Sequence, residues 1–230
     1  MFDLQTAIDN AHHVTFMTGA GVSTHSGIPD YRSKGGLYAN SADPEYLLSA
    51  DNLRDHPASF YDFVKTRMYY PDAKPNVIHE KMAAITNKKG TIVTQNVDGL
   101  DTKAGAHHVV QFHGTLYQVH CQKCGKQVPW QDYLKDMHHQ EDGGILRPDI
   151  VLYGEGINQD TLIAAVQAVQ SADLIVVVGT SFRVYPFAGL IQYAQPSATL
   201  VAVNKENIAA GDDIHMIQAD ALTVFEKLQA

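Results

Sequence analysis

Cysteine is almost absent from this chain: 230 residues hold two, and both sit in Cys121-Gln122-Lys123-Cys124. A single close pair excludes a disulfide framework and leaves a metal clip or a redox pair. Long apolar runs are missing as well. None approaches the roughly 20 residues that cross a bilayer, and no charged-then-apolar leader opens the chain, so no membrane partner and a cytoplasmic location are the expectations. Basic charge is also short, with 17 Lys+Arg against 25 Asp+Glu and a net charge of −8. Sequence-independent nucleic-acid binding needs a basic face, so no direct nucleic-acid partner is expected. Acidic surroundings would favour encounter with a lysine-containing peptide, although ordinary solubility has the same signature. Internal repeats and low-complexity tracts are lacking too. What is there, 45% hydrophobic and 18% charged residues, suits one domain with a sizeable core.

Periodicity predicts an α/β chain. A helix over Asp3–Ala11, with Asp3 as N-cap, leads into the apolar run Val14–Met17. Further strands are expected at Gly90–Thr94, Val109–Phe112, Leu174–Val178, Leu200–Val203 and His215–Gln218, separated by helices near Val77–Thr86, Gln159–Val169 and Ala221–Leu228. Nearly all-apolar strands alternating with helices predict a Rossmann-like parallel sheet covered on both faces. Two irregular blocks interrupt it. The first, about 34–75, is aromatic and proline-punctuated, with a helical piece from Pro57. The second, about 118–150, holds both cysteines and the only tryptophan, and predicts a small module folded around something other than an apolar core. The expected division is a core of about 1–33, 76–117 and 151–230, with a small subdomain from the other two segments.

Parallel sheets bind ligands beyond the carboxyl ends of their strands, and polar residues gather there. Gly19-Ala20-Gly21 follows the first strand, where glycines let backbone N–H groups approach a pyrophosphate. A dinucleotide fingerprint would place a third Gly where Thr24 stands, so the turn by itself reads equally as structural. Gln95, Asn96, Val97 and Asp98 follow the second strand; a polar turn capped by Asp98 is the alternative to a binding loop. His113 follows what reads as a buried strand and precedes Gly114. It differs in that respect from the other histidines of a chain with twelve, and an imidazole at a ligand edge could serve as general base. Gly179-Thr180-Ser181 and Asn204-Lys205-Glu206 end the later strands.

The ordered segments Gly19–Arg32, Thr94–Leu100, His113-Gly114, Leu146–Glu155, Gly179–Pro186 and Asn204–Glu206 resemble the sirtuin signatures G-A-G-x-S-x-x-S-G-I-P-D-F-R, T-Q-N-I-D-x-L, H-G, L-R-P-x-V-V-x-F-G-E, G-T-S-L-x-V-x-P and N-x-E. The stretch Tyr70–Asn76 is similar to the compact bacterial members. The resemblance covers nearly the whole chain and implies an NAD-dependent protein-lysine deacetylase. Gly19, Ala20, Gly21 and Ser181, with Gly179 and Thr180, would hold the pyrophosphate. Asn204, Lys205, Glu206 and the backbone near Ala221 would hold the adenosine end. Ile28, Asn96, Val97 and Asp98 would form the nicotinamide pocket beside Gln95. Ile28, Asp30 and Arg32 would form a flexible cover over the nicotinamide ribose, with Tyr31 also among the cofactor-binding residues. His113 and Asn96 would be catalytic, with nicotinamide, O-acetyl-ADP-ribose and free lysine as products. Val151, Leu152, Tyr153 and Gly154 would pair with an acyl-lysine peptide as an added strand. ADP-ribosyl transfer to protein and a non-catalytic NAD-responsive binding protein remain the alternatives. A monomer is expected.

Tyr31 and Tyr153 stand where the family pattern carries Phe, Val97 where it carries Ile and Phe182 where it carries Leu. A larger departure concerns metal. Family members close a structural zinc site with a second Cys-x-x-Cys pair, and here His139 and Asp142 occupy those places. Cys121, Cys124, His139 and Asp142 could still hold a structural Zn²⁺, or the module has lost its metal. Relatives that remove succinyl groups carry Tyr-x-x-Arg where this chain offers Val64 and Arg67, which predicts acetyl or longer uncharged acyl groups.

Overall fold

The computed structural model describes residues 2–33, 35–38, 43–208 and 213–230, so Lys34 and 39–42 of the expected insertion, and 209–212, lie outside the described residues. The strands are β1 (Val14–Thr18), β2 (Gly90–Thr94), β3 (Val109–Gln111), β4 (Gly114–Cys121), β5 (Gln127–Val128), β6 (Leu146–Ile150), β7 (Leu174–Val178), β8 (Thr199–Asn204) and β9 (His215–Gln218).

Six of them form one sheet in the order β3-β2-β1-β7-β8-β9. Every pair is parallel, with Val14 opposite Gly90 on one side and Leu174 on the other. β1 and β7 are buried at every position, as strands at the middle of a sheet covered on both faces must be. One face packs on Ile78, Met82 and Ile85 of the helix Val77–Lys89 and on Phe225 near the C-terminus. The other packs on Ala165, Ala168 and Val169 of the helix Gln159–Ser171 and on Phe187. The chain runs outward from β1 to β3, then returns to the centre and runs outward again from β7 to β9. Its topological switch point therefore lies between β1 and β7, where a doubly wound sheet opens its binding crevice.

Helix boundaries follow local chemistry. Asp3 caps the first helix, Leu4–Asn10, accepting from the Thr6 amide at 3.1 Å. Asn76 caps Val77–Lys89 in a capping box whose return bond goes from the Asn76 amide to His79 Nδ1.

Two expectations are corrected. β3 is a half-buried edge strand ending at Gln111, so the segment before His113 is not a buried strand. The block around the cysteines does have an apolar core. β5-β4-β6 form a three-stranded antiparallel sheet, and Leu116, Val119, Tyr133, Leu146 and Ile150 join Phe60, Val64 and Met68 in one buried cluster. Tyr69 ties the halves together: its hydroxyl donates to the Leu116 carbonyl at 2.6 Å, and its ring stacks on Trp130. The first irregular block thus supplies helices that cover the sheet made by the second. Leu116→Ala should lower the unfolding free energy by about 2–5 kcal/mol, measured by urea denaturation; a loss below about 1 kcal/mol would mean that this cluster contributes little.

Candidate active site

The turn after β1 and the loop after β7 meet at the switch point. Gly21 N donates to the Gly179 carbonyl at 2.8 Å. A side chain on Gly21 would collide with Gly179, and one on Gly19 with Thr180. The third close-packing glycine that the turn lacks is therefore supplied from a different loop, with Gly179 at φ +60. Phe182, two residues on, holds a positive φ of 54 and donates its amide to Thr180 Oγ1, a strained non-glycine position beside the crevice. Gln95 Nε2 also reaches Thr180 Oγ1, at 3.1 Å.

A cavity of about 530 Å³ opens beyond these loops. Its walls bring together Gly19, Ala20, Gly21, Asp30, Tyr31, Arg32, Gln95, Asn96, Val97, His113, Val151 to Gly154, Gly179 to Ser181, Asn204 to Glu206 and Ala221. A small adjoining cavity is lined by Ile28 and Asp98 and shares Ala20, Tyr31, Asn96 and Val97 with the large one. Every residue expected to contact NAD or peptide thus faces one of two neighbouring spaces, although they come from eight separated segments. Asp30 also caps its own turn, accepting from the Arg32 and Ser33 amides.

Under the small cavity lies a buried polar chain. His79 Nδ1 accepts from the Asn76 amide, which leaves Nε2–H directed at Ser23 Oγ, 3.4 Å away. The Ser23 hydroxyl donates to Asp98 Oδ2 at 2.7 Å, and Asp98 Oδ1 accepts from the Leu100 amide. Asn96 Nδ2 donates to the Gly19 carbonyl at 3.1 Å. Burial pushes the His79 imidazole down to about 4, so it is a neutral donor at physiological pH. Burial, with Asp98 adding to it, pushes the Asp101 carboxyl up to about 7. Sequence reasoning missed both His79 and Ser23. The available signal for His79 was its place three residues after an Asn N-cap.

His113 sits half-buried against Phe112 and Phe187, with ring centroids 5.4 and 6.4 Å away. Burial lowers its pKa below the ordinary imidazole range, which keeps the ring unprotonated and able to accept a proton. Its carbonyl accepts from the Val151 amide at 2.9 Å. Beyond Val151, Tyr153 already uses both peptide groups in a parallel bridge to Leu48 and Ala50, and Leu152 is held in a turn by Glu155. Arg147 braces that turn through Glu155 at 2.7 Å. Among the described residues, the Val151 carbonyl and both peptide groups of Gly154 are the groups of this stretch that take no such partner. Val64 lies inside the buried cluster and Arg67 is exposed; from the end of their helix, Met68 rather than Arg67 lines the cavity.

The four expected metal ligands also converge. Each of Cys121, Cys124, His139 and Asp142 offers an atom within 4.8 Å of all the others. Measured separations are 3.0 Å for His139 Nδ1 to Asp142 Oδ1, 3.4 Å for Cys121 Sγ to Asp142 Oδ1 and 3.6 Å for Cys124 Sγ to His139 Nδ1. The edges of a zinc tetrahedron built on such ligands are about 3.3–3.8 Å, so the set fits the ion. The Gly144 amide holds Asp142 Oδ1 in place at 2.9 Å, and it contributes most to keeping that carboxyl far below its usual range.

A doubly wound sheet with a glycine turn at its switch point, a long cavity across it and an unprotonated histidine on the wall defines a dinucleotide-binding enzyme architecture. The Sir2 family model matches residues 19–186. The chain is 53% identical over 226 residues, 98% of its length and 97% of the relative's, to a protein of Lactiplantibacillus plantarum named NAD-dependent protein deacetylase. It is 40% identical to one of the same name from Staphylococcus aureus, covering 98% of each chain. Among solved structures it is similar to Sir2 bound to a deacetylated p53 peptide and 3'-O-acetyl ADP-ribose, with a TM-score of 0.89 and 29% identity, covering 96% of this chain and 94% of that one. Sir2 bound to a p53 peptide and NAD⁺ matches with a TM-score of 0.86 and the same identity and coverage. This chain belongs to the Sir2 family, the sirtuins. Among its described residues no helix is long and apolar enough to cross a membrane.

Metal analysis after purification in zinc-supplemented medium should find about one zinc per chain, a tetrahedral site taking one ion. Cys121→Ser and His139→Ala should each lower that content severalfold. Full zinc retention in both variants would disprove the four-ligand assignment.

Proposed function

We propose that this protein is an NAD-dependent protein-lysine deacetylase, and the observation that carries the reading is the single cavity joining the glycine turn, Asn96 and His113. Gly19, Ala20 and Gly21, with Gly179, Thr180 and Ser181, bind the pyrophosphate: the glycines, whose amides donate to Val178, Gly179 and Val203, let it approach closely, and the Ala20 amide and the Ser181 hydroxyl donate to it. Asn204, Lys205, Glu206 and Ala221 bind the adenosine end. Asn96, Val97, Ile28 and Asp98 receive the nicotinamide ring, while Ser23 and His79 fix the orientation of the Asp98 carboxylate. Asp30 and Arg32, with Ile28, cover the ribose. When bound, NAD supplies an ADP-ribosyl acceptor for the acyl group and a nicotinamide leaving group.

His113 removes a proton from a ribose hydroxyl, for which burial has prepared it. The Val151 carbonyl accepts from the lysine side-chain N–H of an acyl-lysine peptide, and the Gly154 amide donates to a carbonyl of that peptide's backbone. Backbone recognition reads little sequence, so substrate proteins are chosen loosely. Zinc held by Cys121, Cys124, His139 and Asp142 ties the Cys121 turn to the loop before β6 and is structural, since it stands on the small sheet and not on the cavity wall. The small subdomain is the unit formed by the described residues of about 34–75 and 118–150.

Nicotinamide release with an acetyl-lysine peptide and NAD is the direct test. Release should require both, and His113→Ala should cut formation of the deacetylated peptide by about 100-fold or more, the usual worth of a positioned base. ADP-ribosylated protein in place of deacetylated peptide would favour transfer to protein, and no release at all would favour a binding role. Because the base is held below the ordinary imidazole value of about 6.5, kcat/KM should be level at neutral pH and fall only in acid below that value. An acid limb centred above pH 7 would remove His113 from the role of base.

A further inference from the structure

The two positions where this chain replaces the family's Phe with Tyr converge on one wall. Tyr31 comes from the segment after the glycine turn and Tyr153 from the stretch after β6. Tyr38 joins them, its ring centroid 5.2 Å from that of Tyr31. All three are half-buried and line the large cavity, with Leu48, Met68 and Val97 completing the same region. Leu48 and Met68 belong to the small module's helices and their ends, whereas the glycine turn and Asn204–Glu206 line the same cavity from the strand ends of the parallel sheet. The chain passes from Val151, bonded to the His113 carbonyl, to Tyr153 within two residues. An acyl group presented to His113 shares one cavity with the three tyrosines.

Phenylalanines would make this wall uniformly apolar and suited to a plain hydrocarbon chain. Phenols are donors and acceptors at physiological pH. Here burial and mutual proximity push the Tyr31 and Tyr38 hydroxyls well above the ordinary phenol range, so both keep their protons to donate. The Tyr38 hydroxyl is within bonding reach of that of Tyr153, and a pair of hydroxyls has one proton more than it uses, left for a ligand or water to accept. The same helix end contributes Met68, and Arg67 is exposed to solvent, so the Tyr-x-x-Arg arrangement that holds a carboxylate is absent.

Resting on the deacylase reading above, we infer that the Tyr31, Tyr38 and Tyr153 hydroxyls form a polar acyl subsite that selects lysines modified with a hydroxyl-bearing, uncharged acyl chain over their plain hydrocarbon counterparts. The subsite discriminates by hydrogen bonding, because a site with donors facing the ligand is left unsatisfied by the analogue that lacks the hydroxyl.

The test uses the full chain with NAD and peptides that differ by one oxygen: lactyl- against propionyl-lysine, and 3-hydroxybutyryl- against butyryl-lysine. The quantity read is the hydroxyacyl-to-plain ratio of kcat/KM within each protein, which cancels general losses in activity. The ratio should exceed one in the wild type for at least one pair, and should fall by roughly 3- to 10-fold in Tyr31→Phe/Tyr153→Phe, the worth of a neutral hydrogen bond. A wild-type ratio at or below one for both pairs overturns the inference without any variant. An unchanged ratio in the double variant, or succinyl-lysine turned over faster than any of the four, overturns it as well. Failure on every acyl peptide including acetyl would sink the deacylase reading itself, whereas good acetyl turnover with a ratio at or below one sinks only the subsite.

Discussion

Two backbones approach each other at the switch point of the sheet more closely than side chains permit, and the site depends on that contact. Gly21 donates to Gly179 at 2.8 Å, and neither residue could carry a Cβ without moving the other. The contact uses the Gly21 amide, as Val178 uses that of Gly19, and brings Thr180 and Ser181 to the same crevice. It also explains why the turn lacks the third glycine of a dinucleotide fingerprint. In that fingerprint the close approach is made within one strand–turn–helix unit. Here it is made between loops about 160 residues apart in sequence.

Below this contact the polar residues are arranged by burial. The His79–Ser23–Asp98 chain carries one imidazole that is neutral because it is buried and one carboxylate that is satisfied by two donors. Asp98 is thereby fixed beside the small cavity rather than free to rotate. His113 meets a different environment, aromatic on two sides, and the same desolvation that would be a cost for a charged ring keeps it ready as a base.

The antiparallel module is held in two ways. A shared apolar cluster joins β4 and β6 to the helix Pro57–Arg67, while four potential metal ligands cross-link the turn after β4 to the loop before β6. The sequence pattern had pointed to ligands and not to a core. The reason is visible in β4, where Leu116, Val119 and Cys121 are buried across a register shift between Thr115 and Val119. A bulge breaks the alternation by which a half-buried strand is recognised.

Much of the fold was legible because it is local. The apolar runs β1, β2 and β7, the Asp3 cap and the parallel order they imply are written in adjacent residues. The ligand edge was legible too, because polar residues followed one strand end after another, and His139 and Asp142 kept the spacing of the pair they replace. Tertiary structure decided what depends on distance through space. It paired Gly21 with Gly179, put His79 behind Ser23, made β3 an edge strand and occupied Tyr153 with Leu48 and Ala50. It also gathered Tyr31, Tyr38 and Tyr153 on one wall. None of these has a period or a spacing in the chain, since each joins segments that only the closed sheet and its module bring together.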